Sequence, residues 1–394
     1  MPDAIARRWY RPMVARDVGE PHRASTPLEL LFDLCFVVGV SQAAGRLHHA
    51  LSANEIGHGI GSYLMVFFAI WWAWVNFTWF ASAYDNDDVP YRVTTLVQIT
   101  GALILAAGVP RAFDRNNFTV VVIGYVVMRL AMVGQWLRVS WSDPVRRVTA
   151  LRFAIGITIV QIGWVLRSTV SDRYLTASFI VLVIAELAVP IYGERAAGTT
   201  WHPTHIAERY GLFTLIVLGE AILAATTAIQ TGFDTGGERG DLLVLSVSGL
   251  VIVFAMWWIY FDRPREELLR TSWSGFFFGY GHYFVFASAA AVGAGITVKV
   301  DTITGLADLS PRASAFTVAI PVAIYIACVW LLHRRPGEAA LRSVAFPVAA
   351  VLVLITPLLP EPLIFMAAIV VVLVGSTIQR FNAASDQVAA RNNA

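Results

Sequence analysis

The sequence predicts an all-α polytopic membrane protein, a bundle of about twelve transmembrane helices. Of its 394 residues, 57% are hydrophobic and only 14% are charged, whereas soluble domains carry roughly 25% charged residues. The apolar residues form runs of about 20, the length that a helix needs to cross the hydrocarbon core. These runs are continuously apolar and do not alternate with polar residues, which argues against a membrane β-barrel.

Charges, prolines or turn residues bound each of the predicted spans. The first span is less apolar than the others, because it contains Glu29, Asp33 and Arg46. The last two are separated only by Pro360-Glu361-Pro362, so they are interpreted either as two spans or as one re-entrant hairpin. The predicted spans are residues 28–48, 59–81, 92–112, 118–138, 148–168, 173–193, 205–230, 241–262, 273–298, 313–333, 341–359 and 362–380.

The distribution of arginine predicts the orientation, because loops on the cytoplasmic side of a membrane carry an excess of Lys and Arg. With the N-terminus inside, nineteen cationic residues fall in cytoplasmic segments and seven in outer loops. We therefore expect both termini in the cytoplasm. Residues 1–27 would form an N-terminal tail and residues 381–394 a C-terminal tail.

Two similar aromatic segments indicate an internal repeat. Val66–Asn76 reads VFFAIWWAWVN, and Ile252–Asp262, six predicted spans later, reads IVFAMWWIYFD. Because six is even, two such halves would enter the membrane in the same direction, as parallel six-helix repeats over residues 28–200 and 201–380. Chance similarity between aromatic-rich helices is the alternative. The tryptophans of both segments are interpreted as anchors at the membrane interface.

Ionisable side chains within the spans are the most informative positions, because each costs roughly 2.5–3.5 kcal/mol at the bilayer centre and usually faces protein or water. Glu29 and Asp33 are four residues apart and therefore share one helix face. Arg129 is expected to pair with Glu220 or Asp33, and His282 is of the residue type that titrates near neutral pH. The candidate residues for a substrate or proton site are Glu29, Asp33, Arg129, Glu208, Arg209, Glu220 and His282.

These buried charges have two interpretations. They either line a polar cavity for a substrate or a proton, or pair with one another and only fix the arrangement of the helices. The sequence contains no phosphate-binding loop, dinucleotide fingerprint, HExxH motif or nucleophile elbow. We therefore predict no cofactor and no metal. A net charge of +2 without a basic run predicts no nucleic-acid partner.

Two motifs resemble those of the bacterial low temperature requirement protein A family. Residues 26–37, TPLELLFDLCFV, resemble the opening motif of that family. Residues 205–213, HIAERYGLF, continuing to LGEAI at 218–222, resemble its second signature. The resemblance covers most of the chain, and the departures are minor, at Leu31 and Cys35. It implies a multi-pass protein of the bacterial cytoplasmic (inner) membrane, and it implies no settled biochemical activity.

Three functions are compatible with this sequence. The leading hypothesis is a secondary transporter or permease, proton-coupled, that acts on an unknown small molecule or ion. A membrane-embedded enzyme or redox protein acting on a lipid-like substrate is the first alternative, and the absence of a recognisable catalytic set argues against it. The second alternative is a structural protein or a sensor of the membrane. All three have the lipid bilayer as a partner.

Overall fold

The computed structural model describes residues 9–17, 19–20, 23–235, 239–262, 266–269, 271–333 and 340–392. Every long regular element in these ranges is an α-helix, which confirms the predicted all-α fold. The helices are α1 (Pro27–Ser52), α2 (Ile56–Tyr84), α3 (Val89–Arg115), α4 (Thr119–Ser142), α5 (Arg147–Arg167), α6 (Leu175–Glu194), α7 (Pro203–Thr235), α8 (Arg239–Phe261), α9 (Ser272–Ile303), α10 (Pro311–His333), α11 (Ala340–Ile355) and α12 (Pro362–Asn392).

The helices have the length and composition of membrane spans. Ten of those described, α1 to α10, are long and apolar enough to cross a bilayer, and α11 and α12 contain the shorter apolar stretches Val344–Leu358 and Pro362–Ile378. A 3₁₀ turn, Thr356–Leu358, lies between α11 and α12. The chain is therefore a multi-pass membrane protein. The predicted tails, residues 1–27 and 381–394, lie partly outside the described residues.

Local sequence signals explain where several helices begin and end. The side chain of Asp88 accepts a hydrogen bond from the backbone N–H of Tyr91 and caps the start of α3. That helix ends at Asn116, whose φ of 50° is left-handed. At the start of α9, Thr271 and Ser274 form a reciprocal capping box. These caps satisfy backbone groups that the first and last turns leave without partners.

The chain forms two compact units. The first consists of Met1–Ala43 and Met65–Arg209, and the second of Ala44–Leu64 and Tyr210–Ala394. The boundaries fall within α1, α2 and α7, so each of these helices contributes residues to both units. The predicted six-helix repeats have a different boundary, after residue 200, and the repeat itself stays a prediction.

In the first unit, consecutive helices pack as antiparallel neighbours, and the α3–α4 contact is the most extensive. Glycine makes this contact possible. A Cβ atom on Gly124 would lie 2.5 Å from the backbone oxygen of Gly101 and from the backbone nitrogen of Leu105. The two helix backbones therefore approach closely, as small residues commonly allow in membrane helices.

In the second unit, the α9–α10 contact is the most extensive, followed by α10 against α11, while α8 packs against α12. Here Gly295 occupies the point of closest approach, since a Cβ atom there would lie 2.3 Å from the backbone oxygen of Thr317. Both units thus contain a tightly packed helix hairpin followed by looser neighbours.

The tryptophans of α2 do not lie at a surface. Trp71, Trp72 and Trp74 are almost fully buried, so their interpretation as interfacial anchors is wrong. The corresponding tryptophans of α8, Trp257 and Trp258, are exposed. Anchoring remains a prediction for that pair and for the half-buried Trp79 of α2.

Candidate functional site

A group of buried ionisable side chains lies in the first unit, where the starts of α1 and α7 meet α2. We call it the charge cluster. Four of its members, from α1 and α7, have no exposed surface. The remaining two precede α1 and follow α2. The members are Arg23, Glu29, Asp33, Asp85, His205 and Arg209.

The centre of the charge cluster is a bidentate ion pair between α1 and α7. Arg209 donates from Nε to Asp33 Oδ2 at 2.9 Å and from Nη2 to Asp33 Oδ1 at 2.6 Å. Trp74 of α2 adds a third hydrogen bond, from its indole nitrogen to Asp33 Oδ1 at 2.7 Å. Paired, charge-assisted hydrogen bonds of this kind are both strong and geometrically specific. Asp33 therefore joins three helices at one point.

Glu29 lies one turn earlier on α1 and has two roles. Its Oε2 atom accepts from the backbone N–H of Thr26 at 2.8 Å and from the Thr26 hydroxyl at 3.0 Å, which completes a capping box. Its Oε1 atom faces the cations, at 3.0 Å from Arg209 Nη1 and 3.4 Å from Arg23 Nη2. The Glu29 carboxylate thus caps the N-terminus of α1 and offsets the positive charge of the two guanidinium groups.

His205 brings a titratable nitrogen to the same carboxylate. Its Nε2 atom lies 3.1 Å from Glu29 Oε1, but the alignment is not that of a hydrogen bond. Within the part of the chain that the structure describes, neither ring nitrogen of His205 has a hydrogen-bond partner. The fully buried imidazole of His205 therefore faces the Glu29 carboxylate at ion-pair distance without an aligned hydrogen bond.

Arg23 connects the cluster to the turn between α2 and α3. It donates from Nη1 to the backbone oxygen of Ser82 at 2.6 Å and from Nη2 to Asp85 Oδ2 at 3.3 Å. Burial, reinforced by the nearby Glu29 carboxylate, raises the pKa of Asp85 to about 6. Asp85 therefore titrates in the physiological range.

A second buried carboxylate in the first unit, Glu186 of α6, is fully paired. Arg129 donates to its Oε2 atom, and Trp72 donates to the same atom at 2.8 Å. Trp164 and Tyr125 donate to Oε1 at 3.1 and 3.3 Å. We call this group the Glu186 cluster. Since Arg129 pairs with Glu186, the expected pairing of Arg129 with Glu220 or Asp33 is wrong.

His282 lies in the second unit and is also buried. Its Nδ1 atom is 2.6 Å from the backbone oxygen of Phe278, which only accepts, so Nδ1 carries a proton. Its Nε2 atom is 2.9 Å from the hydroxyl of Tyr260, which donates to it when the ring is neutral. The ring of Tyr210 packs edge-on against His282, with centroids 4.8 Å apart.

The predicted site residues therefore fall into separate places. Glu29, Asp33 and Arg209 meet in the charge cluster, and Glu208, half-buried beside it, accepts from the backbone N–H of Ser25 at 3.2 Å. Arg129 belongs to the Glu186 cluster. The other two predicted residues, Glu220, which is half-buried, and His282, lie in the second unit.

The predicted site residues omit several members and partners of these clusters, among them Arg23, Asp85, His205, Glu186 and Trp74. Arg23 falls in the predicted N-terminal tail. Thr26 and Glu29 have the spacing of a capping box, which signals that the first helix starts close to Arg23. His205 and Glu186 are visible in the sequence as polar residues in apolar segments, but nothing there indicates their partners. Trp74 was assigned to the interface because tryptophan usually lies there.

Comparison with known proteins decides the family. The family model of the bacterial low temperature requirement A protein matches residues 24–377. The chain belongs to this family. The low temperature requirement A match includes both segments that form the charge cluster, the start of α1 and the start of α7.

A relative supports this assignment without adding a function. The chain is 27% identical over 278 residues to an uncharacterized protein of Rhizobium meliloti (strain 1021). The match covers 66% of this chain, and the chain spans about 65% of that protein's length. No solved structure matches the chain.

Proposed function

We propose that this low temperature requirement A protein is a proton-coupled secondary transporter, with the charge cluster as its proton-binding element. The cytoplasmic membrane is its expected location. The observation that carries the proposal is the imbalance of charge in a buried site. Among the described residues, three carboxylates, Glu29, Asp33 and Asp85, face two guanidinium groups, those of Arg23 and Arg209.

An unpaired carboxylate in a buried site is costly, because its desolvation is not offset by a partner charge. One proton in the cluster restores the balance. Asp85 is the group best suited to hold it, since it titrates near pH 6. Proton binding would thus change how strongly Glu29 attracts Arg209.

The position of Arg209 on α7 allows a change in its attraction to Glu29 to be transmitted along that helix. Arg209 is the last residue of the first unit, and Tyr210 is the first residue of the second. Both are fully buried on α7, and Tyr210 packs against His282. A shift of Arg209 within the charge cluster would therefore move the residue that contacts the buried histidine of the second unit.

The Glu186 cluster supports a different function for its own residues. Its carboxylate accepts hydrogen bonds from four side chains, including the one cation Arg129. A carboxylate satisfied in this way serves to hold α2, α4, α5 and α6 in register. We propose a structural role for this cluster.

Infrared difference spectra between pH 5 and pH 8 test the proton site without a known substrate. The wild-type protein in lipid nanodiscs should show a carboxylic acid C=O band that disappears as the pH rises. Asp85→Asn should remove most of this band, and Glu29→Gln should shift its midpoint. The control Glu55→Gln, at an exposed carboxylate between α1 and α2, should leave the band unchanged.

Proteoliposomes loaded with a pH-sensitive dye test the transport itself. Proton influx would be driven by a potassium diffusion potential while amino acids, monocarboxylates and divalent cations are supplied in turn. We expect one class of compound to stimulate influx, and Glu29→Gln or Asp33→Asn to abolish the stimulation while Glu55→Gln retains it. A titrating band with no stimulated influx would refute transport and leave a pH sensor. Wild-type influx in Glu29→Gln would refute the site.

A further inference from the structure

A cavity of about 620 Å³ lies in the second unit. It is enclosed by the first turns of α8, α10 and α12, by the last turns of α9, and by the proline-rich turn before α12. Its volume falls within the range of sites that bind small molecules, roughly 300–1,000 Å³. Apolar side chains that include Val244, Leu245 and Leu363 form part of its wall.

Four charged side chains line this cavity: Asp241, Lys299, Arg312 and Glu361. Lys299 is only 8% exposed, whereas the other three are exposed. None of the four side chains forms a hydrogen bond or an ion pair with another residue in the described ranges. Two cations and two anions therefore face one space without pairing with each other.

Lys299 makes this arrangement unusual. It is the only lysine in the chain, and its side chain is mostly buried but lines the cavity. Asp241 and Glu361 are near enough to attract its charge, but neither forms an ion pair with it. The ammonium group of Lys299, which forms no ion pair in the described ranges, is therefore available to an anionic group bound in the cavity.

The electrostatics of the cavity indicate which kind of molecule. Because α8, α10 and α12 begin here, the positive ends of three helix dipoles point toward the cavity and favour an anionic group. The carboxylates on its exposed side favour an ammonium group. We propose that this cavity binds a zwitterionic molecule, with its anionic group at Lys299 and Arg312 and its ammonium group at Asp241 and Glu361.

Two sources supply this chemistry. One is the headgroup of an ethanolamine phospholipid, and the other is a free zwitterion such as phosphoethanolamine or an amino acid. The cavity lies at the ends of its helices, and the arginine distribution predicts that these ends face outward, where either source has access. The proposal does not depend on proton-coupled transport, since no residue of the charge cluster lines the cavity.

Calorimetric titration of the delipidated full-length protein tests the free ligands. The probes are phosphoethanolamine, L-alanine, inorganic phosphate and ethanolamine. At least one zwitterion should bind about tenfold more tightly than phosphate or ethanolamine alone. Native mass spectrometry after incubation with mixed vesicles tests the lipid source, and preferential retention of phosphatidylethanolamine over phosphatidylglycerol would identify it. Zwitterion binding without lipid retention would identify a free ligand.

Substitutions distinguish a specific binding site from nonspecific attraction to a charged surface. Lys299→Met should weaken binding at least about tenfold while the thermal midpoint of the unliganded protein stays equal to or above that of wild type. Arg312→Gln and Glu361→Gln, at exposed positions, should also weaken binding. The control Arg111→Gln, an exposed arginine of α3, should not change it.

Two results would overturn the proposal. One is the absence of zwitterion binding together with the absence of any headgroup preference. The other is wild-type binding in Lys299→Met. If Lys299→Met fails to fold, unchanged binding in both Arg312→Gln and Glu361→Gln would overturn it equally.

Discussion

The aromatic segments of α2 and α8 have similar sequences and different surroundings. One face is buried in both, formed by Phe67, Ile70 and Trp74 in α2 and by Val253, Met256 and Tyr260 in α8. The opposite face differs. In α2, Phe68, Trp71 and Trp72 are 6%, 2% and 1% exposed, whereas in α8, Phe254, Trp257 and Trp258 are 58%, 43% and 42% exposed.

The difference lies in the polar partners. Trp72 donates its indole N–H to Glu186, whereas Trp258 lies on an exposed face of α8. On the face that is buried in both segments, each helix has a partner for its polar aromatic residue. Trp74 donates to Asp33, and Tyr260 is bonded to His282. When a helix is apolar on all sides, a buried hydrogen-bond partner for one of its polar aromatic side chains identifies the face that packs against other helices.

The largest effect should come from removing the cation that balances Glu186. Arg129→Met leaves a buried carboxylate without a counter-charge, which destabilises proteins by about 3–5 kcal/mol. We expect the variant to lose its monodisperse elution in detergent at a much lower temperature than wild type. The double variant Arg129→Met/Glu186→Leu should recover most of this loss, and a double variant as unstable as the single one would contradict the assignment.

A smaller effect should distinguish the two tryptophan faces directly. Trp72→Phe removes a hydrogen bond to a charged acceptor, which contributes about 1.5–3 kcal/mol, and leaves unfilled space. Trp258→Phe, at the matching exposed position, should change the stability by less than about 0.5 kcal/mol. Thermal unfolding of both variants in the same nanodiscs provides the measurement. Equal shifts would show that both faces are packed against protein in the membrane.

The smallest effect should be a pH dependence that belongs to the charge cluster and not to either aromatic segment. Because the pKa of Asp85 is raised to about 6, its protonated form favours the folded state. Its contribution is complete at a pH below its unfolded pKa and is lost as the pH rises through about 6. Between pH 5 and pH 8 this loss amounts to about 1–2 kcal/mol.

Thermal midpoints measured across that range check this prediction. Asp85→Asn should flatten the decrease in stability, while Trp258→Phe should retain the wild-type slope. A slope that survives in Asp85→Asn would assign the titration to another group.

The sequence is sufficient to predict the fold class and part of the charge cluster. Depth within an apolar segment identifies Glu29, Asp33 and Arg209, because so few ionisable residues occur there. It does not identify partners, since Asp33 and Arg209 lie 176 residues apart and only the packing of helices brings them together. Arg129 illustrates the failure, because several acids lie at a plausible depth and geometry alone selects Glu186.

The cavity around Lys299 illustrates a second kind of limit. Lysine near the end of a span is ordinarily read as a side chain that reaches the interface, so its burial is not apparent from the sequence. The turn that contains Pro357 and Pro360 becomes part of a site only when α8, α9 and α10 close around it. Sites assembled from loop and helix ends depend on tertiary packing more than sites within one helix.

The ion pair between α1 and α7 has a consequence for biosynthesis. At about 5–20 residues per second, the ribosome completes Asp33 roughly 10–35 s before Arg209, since 176 residues separate them. During that time the nascent first helix carries an acid whose guanidinium has not been made. We expect this helix to reach its final place beside the insertion machinery only after the seventh has been synthesised, which makes the order of membrane integration differ from the order of translation.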